Sequence, residues 1–271
     1  MNLSFKLPLA CLVFMASCSI CFAQYSDGKN PAWAPVHGKI DSVIINGFAV
    51  TNTGKDQSKQ NKYKLGLAYN EDGQLGHQDM YTTSVKQQPT APDRIQLRII
   101  NNYDIDRRLI GMTIYHGDTY GSKSSFVKEV YSYKNDTLIE AKRYGMPGDV
   151  LLSVTQIRQD KAGNVIERST SDTSQKLISR FTTTYNAHGE RIEATEHHIN
   201  ITPKDRRWTH TYDKKGNLIK DVYYAGAGAE VTSTVDYKYT KFDKQHNWLV
   251  KNIYSEGKLA GVVEREITYR K

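Results

Sequence analysis

Tyr212-Asp213-Lys214-Lys215-Gly216-Asn217-Leu218-Ile219 is the stretch whose reading decides the fold. An aspartate after an aromatic accepts hydrogen bonds from backbone N–H groups two or so residues on, which nucleates a turn. The glycine four places after the aromatic supplies the positive φ that a type I turn with a G1 bulge requires. Weaker copies precede this unit at Tyr185-Asn186-Ala187-His188-Gly189-Glu190-Arg191-Ile192 and Gln159-Asp160-Lys161-Ala162-Gly163-Asn164-Val165-Ile166. Earlier ones run Tyr133–Leu138, Tyr103–Leu109 and Tyr69–Leu75, and one follows at Phe242–Leu249. The lead positions 69, 103, 133, 159, 185, 212 and 242 are spaced 34, 30, 26, 26, 27 and 30 residues apart, too regular for chance. Units without the glycine are expected to be strained or differently turned. His246 holds the glycine position of the last unit, where a left-handed backbone costs roughly 1 kcal/mol.

The flanks of each turn alternate with a period of two and are rich in Val, Ile, Thr and Tyr, as half-buried strands are. Trp208, His210 and Tyr212 share one face of the incoming strand. Leu218, Lys220, Val222 and Tyr224 are expected together on one face of the outgoing strand, with Ile219, Asp221 and Tyr223 opposite. The seventh unit repeats this with Val235, Tyr237 and Tyr239, then with Trp248, Val250 and Tyr254; Val263–Tyr269 reads as a closing strand. The fold class is all-β: repeated antiparallel β-hairpins forming a twisted meander sheet, either open or curled toward a barrel or shell. The 18 tyrosines against 7 phenylalanines suit a thin sheet, each ring covering apolar neighbours while its hydroxyl stays wet.

The domain reading has three parts: a signal peptide over 1–23, an N-terminal lead-in with a first strand over 24–62, and the hairpin-repeat domain over 63–271. Lys6 precedes the ten-residue apolar run Leu7–Ala16, too short to span a bilayer, and a small, weakly polar stretch to Ala23. Cleavage between Ala23 and Gln24 is expected; the rival reading is lipidation at Cys18 in the loose lipobox Met15-Ala16-Ser17-Cys18. All three cysteines lie in the leader, so the remainder has no disulfide framework and no cysteine chemistry. Asn52–Asn61 reads as a polar loop, and Gln87–Asp93 as a proline-bearing loop between hairpins. The net charge of +8 falls to +7 without Lys6 and is spread among interleaved acidic residues, so no nucleic-acid footprint is expected. No stretch outside the leader is apolar for long enough to cross a membrane as a helix.

The unit Y-D-x-x-G-N-L at Tyr212–Leu218, with its sharp second copy at Asp160–Asn164, resembles the YD repeat of the Rhs family of bacterial surface and secreted proteins. Phe242-Asp243-x-x-x-Asn247-Trp248 followed by Glu264–Tyr269 resembles the closing unit of short YD-type secreted proteins of the Bacteroidetes, and Phe22-Ala23-Gln24 is similar to signal cleavage sites of that phylum. In large Rhs proteins such repeats imply a β-sheet shell around a toxin. Here the repeats run to the end of the sequence, so the resemblance carries a fold and an address but no catalytic residues. Tyr254–Leu259 is similar, as a single match, to a MORN hairpin.

Motifs for chemistry fail on spacing. Glu196-His197-His198 puts its two imidazoles on opposite faces of a strand, so they do not share a metal. Asp104 and Asp106 lack the glycine and distal glutamate of a calcium loop. Gly121–Ser124 is no nucleophile elbow, and Gly226-Ala227-Gly228 is no dinucleotide loop. No catalytic, metal or cofactor residue is assigned. Trp208, Trp248, Tyr212 and Tyr237 are the candidate ligand-stacking aromatics, with Trp33 beside them; the competing reading makes them cross-strand core. The expected role is a non-catalytic secreted, periplasmic or outer-membrane-associated protein that binds a carbohydrate or an envelope protein. The alternatives are a glycan-acting hydrolase of the envelope and a structural protein self-associating through sheet edges.

Overall fold

The computed structural model describes residues 36–53, 56–81, 95–116, 125–199, 205–226, 228 and 230–271. Gln87–Asp93, Gly121–Ser124 and the leader with its Cys18, Ala23 and Gln24 lie outside them, as does Trp33. In chain order the strands are β1 (Ile40–Thr53), β2 (Asp56–Tyr69), β3 (Leu75–Tyr81), β4 (Ile95–Tyr103), β5 (Leu109–His116), β6 (Ser125–Lys134), β7 (Thr137–Gly145) and β8 (Val150–Gln159). They continue as β9 (Val165–Ser171), β10 (Leu177–Tyr185), β11 (Arg191–His198), β12 (Asp205–Tyr212), β13 (Leu218–Ala225), β14 (Val231–Phe242), β15 (Trp248–Ser255) and β16 (Lys258–Tyr269). Each pairs antiparallel with its sequence neighbours, and β1 pairs with β16, so the meander closes into a sixteen-strand barrel. Among the described residues no helix is long and apolar enough to cross a membrane. Closure pairs the first and last strands of the meander with each other, so the wall itself has no free edge over that register.

The stretch read as a polar loop, Asn52–Asn61, is largely strand. β1 and β2 run on past the register of β16, which ends at Ala49 opposite Gly261, and pair with each other up to Thr53 opposite Asp56. Over that stretch β1 and β2 have only each other as ladder partners, so a polar composition that reads as a loop's goes with an extended backbone.

All seven expected hairpin turns lie at one rim, together with the start of β1 and the end of β16. In six of them the Asp or Asn binds the backbone as anticipated: Asp213 Oδ1 accepts from the N–H of Lys215 at 2.8 Å and of Asn217 at 2.9 Å. Gly73, Gly163, Gly189 and Gly216 take φ of 76–80° there, and Arg107 and His246 adopt the same left-handed turn at φ 63° and 64°. The Tyr133 unit is differently turned, through Asn135 and Asp136 at φ 49° and 62°. The sequence did not announce an eighth turn of the same build. Asp172, between β9 and β10 at the opposite rim, receives Ser174 and Lys176, with Gln175 at φ 64°. Gln175→Gly and His246→Gly are each expected to stabilise the protein by about 0.5–1 kcal/mol. Denaturant midpoints measured singly and in combination check this.

A register shift recurs beside every one of the seven turns. Gly76, Ile110, Ile166, Ile192, Ile219 and Leu249, each second in its outgoing strand, and Ile139, third in β7, are skipped in the ladder. Such bulges bend a strand and increase its twist, the deformation that rolls a flat meander into a barrel. They also reset the side-chain phase. Leu218 is thereby separated from Lys220, Val222 and Tyr224, with which the simple alternation grouped it, and Trp248 from Val250 and Tyr254.

The residue before the bulge has no ladder partner on the next strand, and a tyrosine from that strand satisfies its carbonyl. Tyr103 donates to Leu75 O (3.0 Å), Tyr133 to Leu109 O (2.8 Å), Tyr185 to Val165 O (3.0 Å), Tyr212 to Arg191 O (2.9 Å) and Tyr239 to Leu218 O (2.8 Å). In the unit led by Gln159 the amide oxygen accepts from Leu138 N–H instead. The expectation that these hydroxyls stay wet is therefore corrected: buried backbone acceptors left over by the bulge need a donor.

Curling crowds one face and spreads the other. The inner face carries Ile45 and Leu67, each 1% exposed, with Ile99, Met112, Ile114 and Val263. The outer face carries cross-strand ion pairs: Arg158 and Arg180 both meet Glu167 (2.7 and 3.6 Å), Lys59 meets Glu264 (3.0 Å) and Arg207 meets Glu193 (3.3 Å). Arg158 is 67% exposed.

Candidate functional site

Following the inner face across β11 to β16, apolar residues give way to charge. His210 on β12 and Asp221 on β13 are register partners, with Nδ1 of the histidine 2.6 Å from the carboxylate. Tyr237 on β14 donates to the other carboxylate oxygen at 2.7 Å. Both side chains of the His–Asp pair are at most 6% exposed. Lys251 on β15 lies between two rings, its Nζ 4.8 Å from the centre of Tyr237 and 5.0 Å from that of Trp248. Arg265 on β16 stacks on Trp248 from 3.6 Å. Arg191, at the head of β11, is 8% exposed.

Burial sets the electrostatics of this wall. It pushes the Tyr237 hydroxyl well above its ordinary range, and the Asp221 carboxylate adds to the effect. Lys251 is brought down to about 8, first by burial and then by the like charge of Arg265, against a smaller opposing pull from Asp221. Arg265 falls to about 10 and Arg191 is also lowered, in both cases chiefly by burial. Lys251 and Arg191 thus face a carboxylate, Asp221, that His210 and Tyr237 already hold, while Arg265 faces Asp243 and the hydroxyls of Tyr69 and Tyr239. Nδ1 of His210 is engaged, while its Nε2 is buried and has no hydrogen-bond partner; the same is true of Arg191 Nε and Trp208 Nε1.

The four candidate stacking aromatics all belong to this wall. Trp208 and Trp248 are 6% and 3% exposed, with Phe181 against the first and Tyr239 beside the second. Tyr237 is spent on Asp221 and Tyr212 on the Arg191 carbonyl. Sequence reasoning grouped His210 with Trp208 and Tyr212 but passed over Asp221, Lys251, Arg191 and Arg265. Their signal was charge at positions alternating with Tyr and Val, legible only once the bulge phase is known.

A second concavity, a groove of 630 Å³, lies between the turns at Asp160 and Asn186 and is floored by Thr182–Tyr185. Its polar side chains are committed: Asp160, Asn164 and Asn186 are bonded within their own turns. Glu196 pairs with His198 at 2.8 Å, and Asp205 with His197 at 2.5 Å. Among the described residues no three metal-ligating side chains converge.

No family model matches the sequence, and no curated protein matches it. Solved structures do. A porin-like protein from Bacteroides uniformis superposes with a TM-score of 0.54 at 9% identity, over 84% of this chain and 98% of that one. A porin-like protein from Bacteroides vulgatus gives 0.32 at 13% identity, over 86% and 99% of the two chains. The Photorhabdus luminescens Tc holotoxin pore gives 0.32 at 13%, over 75% of this chain and 16% of that one. The first shows a shared barrel fold; at this identity none speaks to activity.

Proposed function

We propose that this is a non-catalytic, YD-type protein of the bacterial envelope, whose closed barrel stands in water and offers its inner wall as the binding surface. The contrast between the two faces of the wall carries this reading. A barrel that crosses a bilayer needs an outward apolar band about 25 Å tall, and a charge at its midplane costs about 2–4 kcal/mol. Here Glu167, Arg180, Arg207 and Lys220 stand outward in the middle of their strands, paired across strands with Glu193 and Asp236 among others. The address comes from the leader and from the likeness to YD-type envelope proteins, to which the fold shared with the Bacteroides porin-like protein lends support.

The absence of catalysis rests on how the inner carboxylates are placed. Asp221 is held by His210 and Tyr237, and Glu129 by the Tyr131 hydroxyl at 3.0 Å. Glu196 lies two strands from Asp221 and nearer the opposite rim. Glycoside hydrolysis needs two carboxyls flanking one bond.

Expression without residues 1–23, followed by fractionation, tests the reading. The protein is expected in the soluble fraction, monomeric without detergent, and unable to release dye from phospholipid vesicles. Recovery only in detergent, or dye release on addition, would overturn it.

A further inference from the structure

We propose that the rim opposite the seven repeat turns is a docking surface for a phospholipid bilayer, on whose interface the barrel rests without crossing it. This surface is separate from the inner wall and adds to the reading of a barrel that stands in water.

Exposed apolar side chains are the first argument. Among the described residues Phe126, Val150, Leu152 and Val231 are 46–61% exposed, and all four stand at strand ends on this rim. Three of them are contiguous. Met146, just past β7, donates its N–H to Phe126 O at 3.3 Å, and Gly145 is the register partner of Val150. The Leu152 side chain lies 3.5 Å from the point that a Cβ on Gly145 would occupy. Contiguous apolar surface, unlike residues scattered singly, marks an interaction site. The carboxylate beside it, Asp149, is offset by Lys128 at 4.0 Å.

Tyrosines with cations beside them are the second argument. Tyr224, next to last in β13 and the register partner of Val231, has the Arg207 guanidinium 4.2 Å from its ring centre. Tyr254, next to last in β15, has Lys238 Nζ at 4.9 Å, and Tyr81, last in β3, has Lys64 Nζ at 5.1 Å. All three rings are half-buried. Such pairs suit the headgroup level of a bilayer, where the ring meets the acyl boundary and the cation meets phosphate.

The placement of these groups selects a flat occupant. In the closed strand order the patch on β6–β8 and the tyrosines on β13–β15 lie on opposite sides of the wall, and Tyr81 marks a third point. A peptide covers one of these stations, whereas a plane meets all three. The outward charges of Glu167, Arg180 and Lys220 in mid-strand limit how far the barrel sinks. The turn rim does not qualify. Its most exposed apolar residue, Ile105, stands among Asp72, Asp104, Asp106 and Asp136, whose charge Arg107 and Arg108 only half offset.

The protein lacking residues 1–23 is sedimented with vesicles of phosphatidylcholine alone and of phosphatidylcholine mixed with phosphatidylglycerol. Binding to both is expected, tighter to the mixed vesicles, with no release of trapped dye. Phe126→Ser combined with Leu152→Ser tests one station, and Val231→Ser combined with Tyr254→Ser tests the station across the barrel. Each pair is expected to weaken binding at least about fivefold while circular dichroism stays unchanged. The first pair, at exposed positions, keeps the test decisive if the second unfolds. Ile105→Ser at the turn rim is expected to bind as the native protein does. Absence of sedimentation with either vesicle overturns the proposal, and so does binding that both paired variants retain or that Ile105→Ser abolishes. Dye release overturns the claim that the barrel rests on the bilayer without crossing it. A concentration-dependent dimer on sizing that both paired variants abolish would give this rim to a second copy of the chain, and the membrane assignment would fall.

Discussion

Replacing Asn247 by alanine is expected to lower the stability of the barrel by about 3–5 kcal/mol, more than any other single change in a turn. Each orphaned buried polar group costs about 1–3 kcal/mol. This asparagine, 2% exposed, serves three partners outside its own turn. Its Oδ1 accepts from His37 N–H at 2.6 Å, while its Nδ2 donates to His37 O at 2.9 Å and to the Tyr269 hydroxyl at 2.7 Å. Tyr269 in turn donates to Asp243, the aspartate of the same unit. One side chain thereby clasps the segment entering β1 to the end of β16, on the seam that closes the barrel. Asn217 occupies the equivalent repeat position and bonds only Asp213. Asn217→Ala is therefore the matched control, expected to cost about 1 kcal/mol. Denaturant unfolding gives the magnitudes. Hydrogen exchange should show β1 and β16 losing protection first in Asn247→Ala and uniform behaviour in the control; equal losses would remove the special role of the seam.

Lys251→Met is expected to change stability in the opposite direction. The folded-state pKa of this lysine is depressed from 10.5 to about 8. Between those values the unfolded chain holds the extra proton, so the stability of the native protein rises with pH across that window. Below about 8 the buried charge costs the native state about 3 kcal/mol, at 1.36 kcal/mol per unit. Removing it also removes ring contacts worth about 0.5–2 kcal/mol. The net gain at pH 7 is about 1–3 kcal/mol, a rise in Tm of roughly 3–10 °C for a chain of this size. The advantage should fade between pH 8 and 10.5. A melting series from pH 6 to 10.5 checks both size and sign; a variant less stable than the native protein at pH 7 would show that the charge is compensated within the fold.

The turns were legible because their chemistry is local. Asp213, Asp160 and Gly216 act within five residues of themselves, and His246 pays for its left-handed backbone at the place the glycine spacing indicated. The eighth turn escaped because it lacks both marks at once, with Ser171 where six of the units have an aromatic and Gln175 where four have glycine, although Lys176-Leu177-Ile178 continues as Asn217-Leu218-Ile219 does. Closure was not legible. It depends on seven skipped residues whose isoleucines read as ordinary strand, and a one-residue shift transfers every later side chain to the other face. The site inherits that difficulty. His210 lies before a bulge and was grouped with Trp208 and Tyr212; Asp221 lies after one, so its register opposite His210 emerges only from the paired strands.

Because the seven repeat turns share one rim and five of their hairpins hand a tyrosine to the one before, the girth of this barrel is a countable quantity. Each repeat contributes two strands, so inserting or deleting one alters the circumference in a fixed step of about 10 Å. The Asn247 clasp need not change, since it reads only the first and last strands. A lineage of such proteins would then vary in diameter by whole repeats while keeping one and the same closing seam.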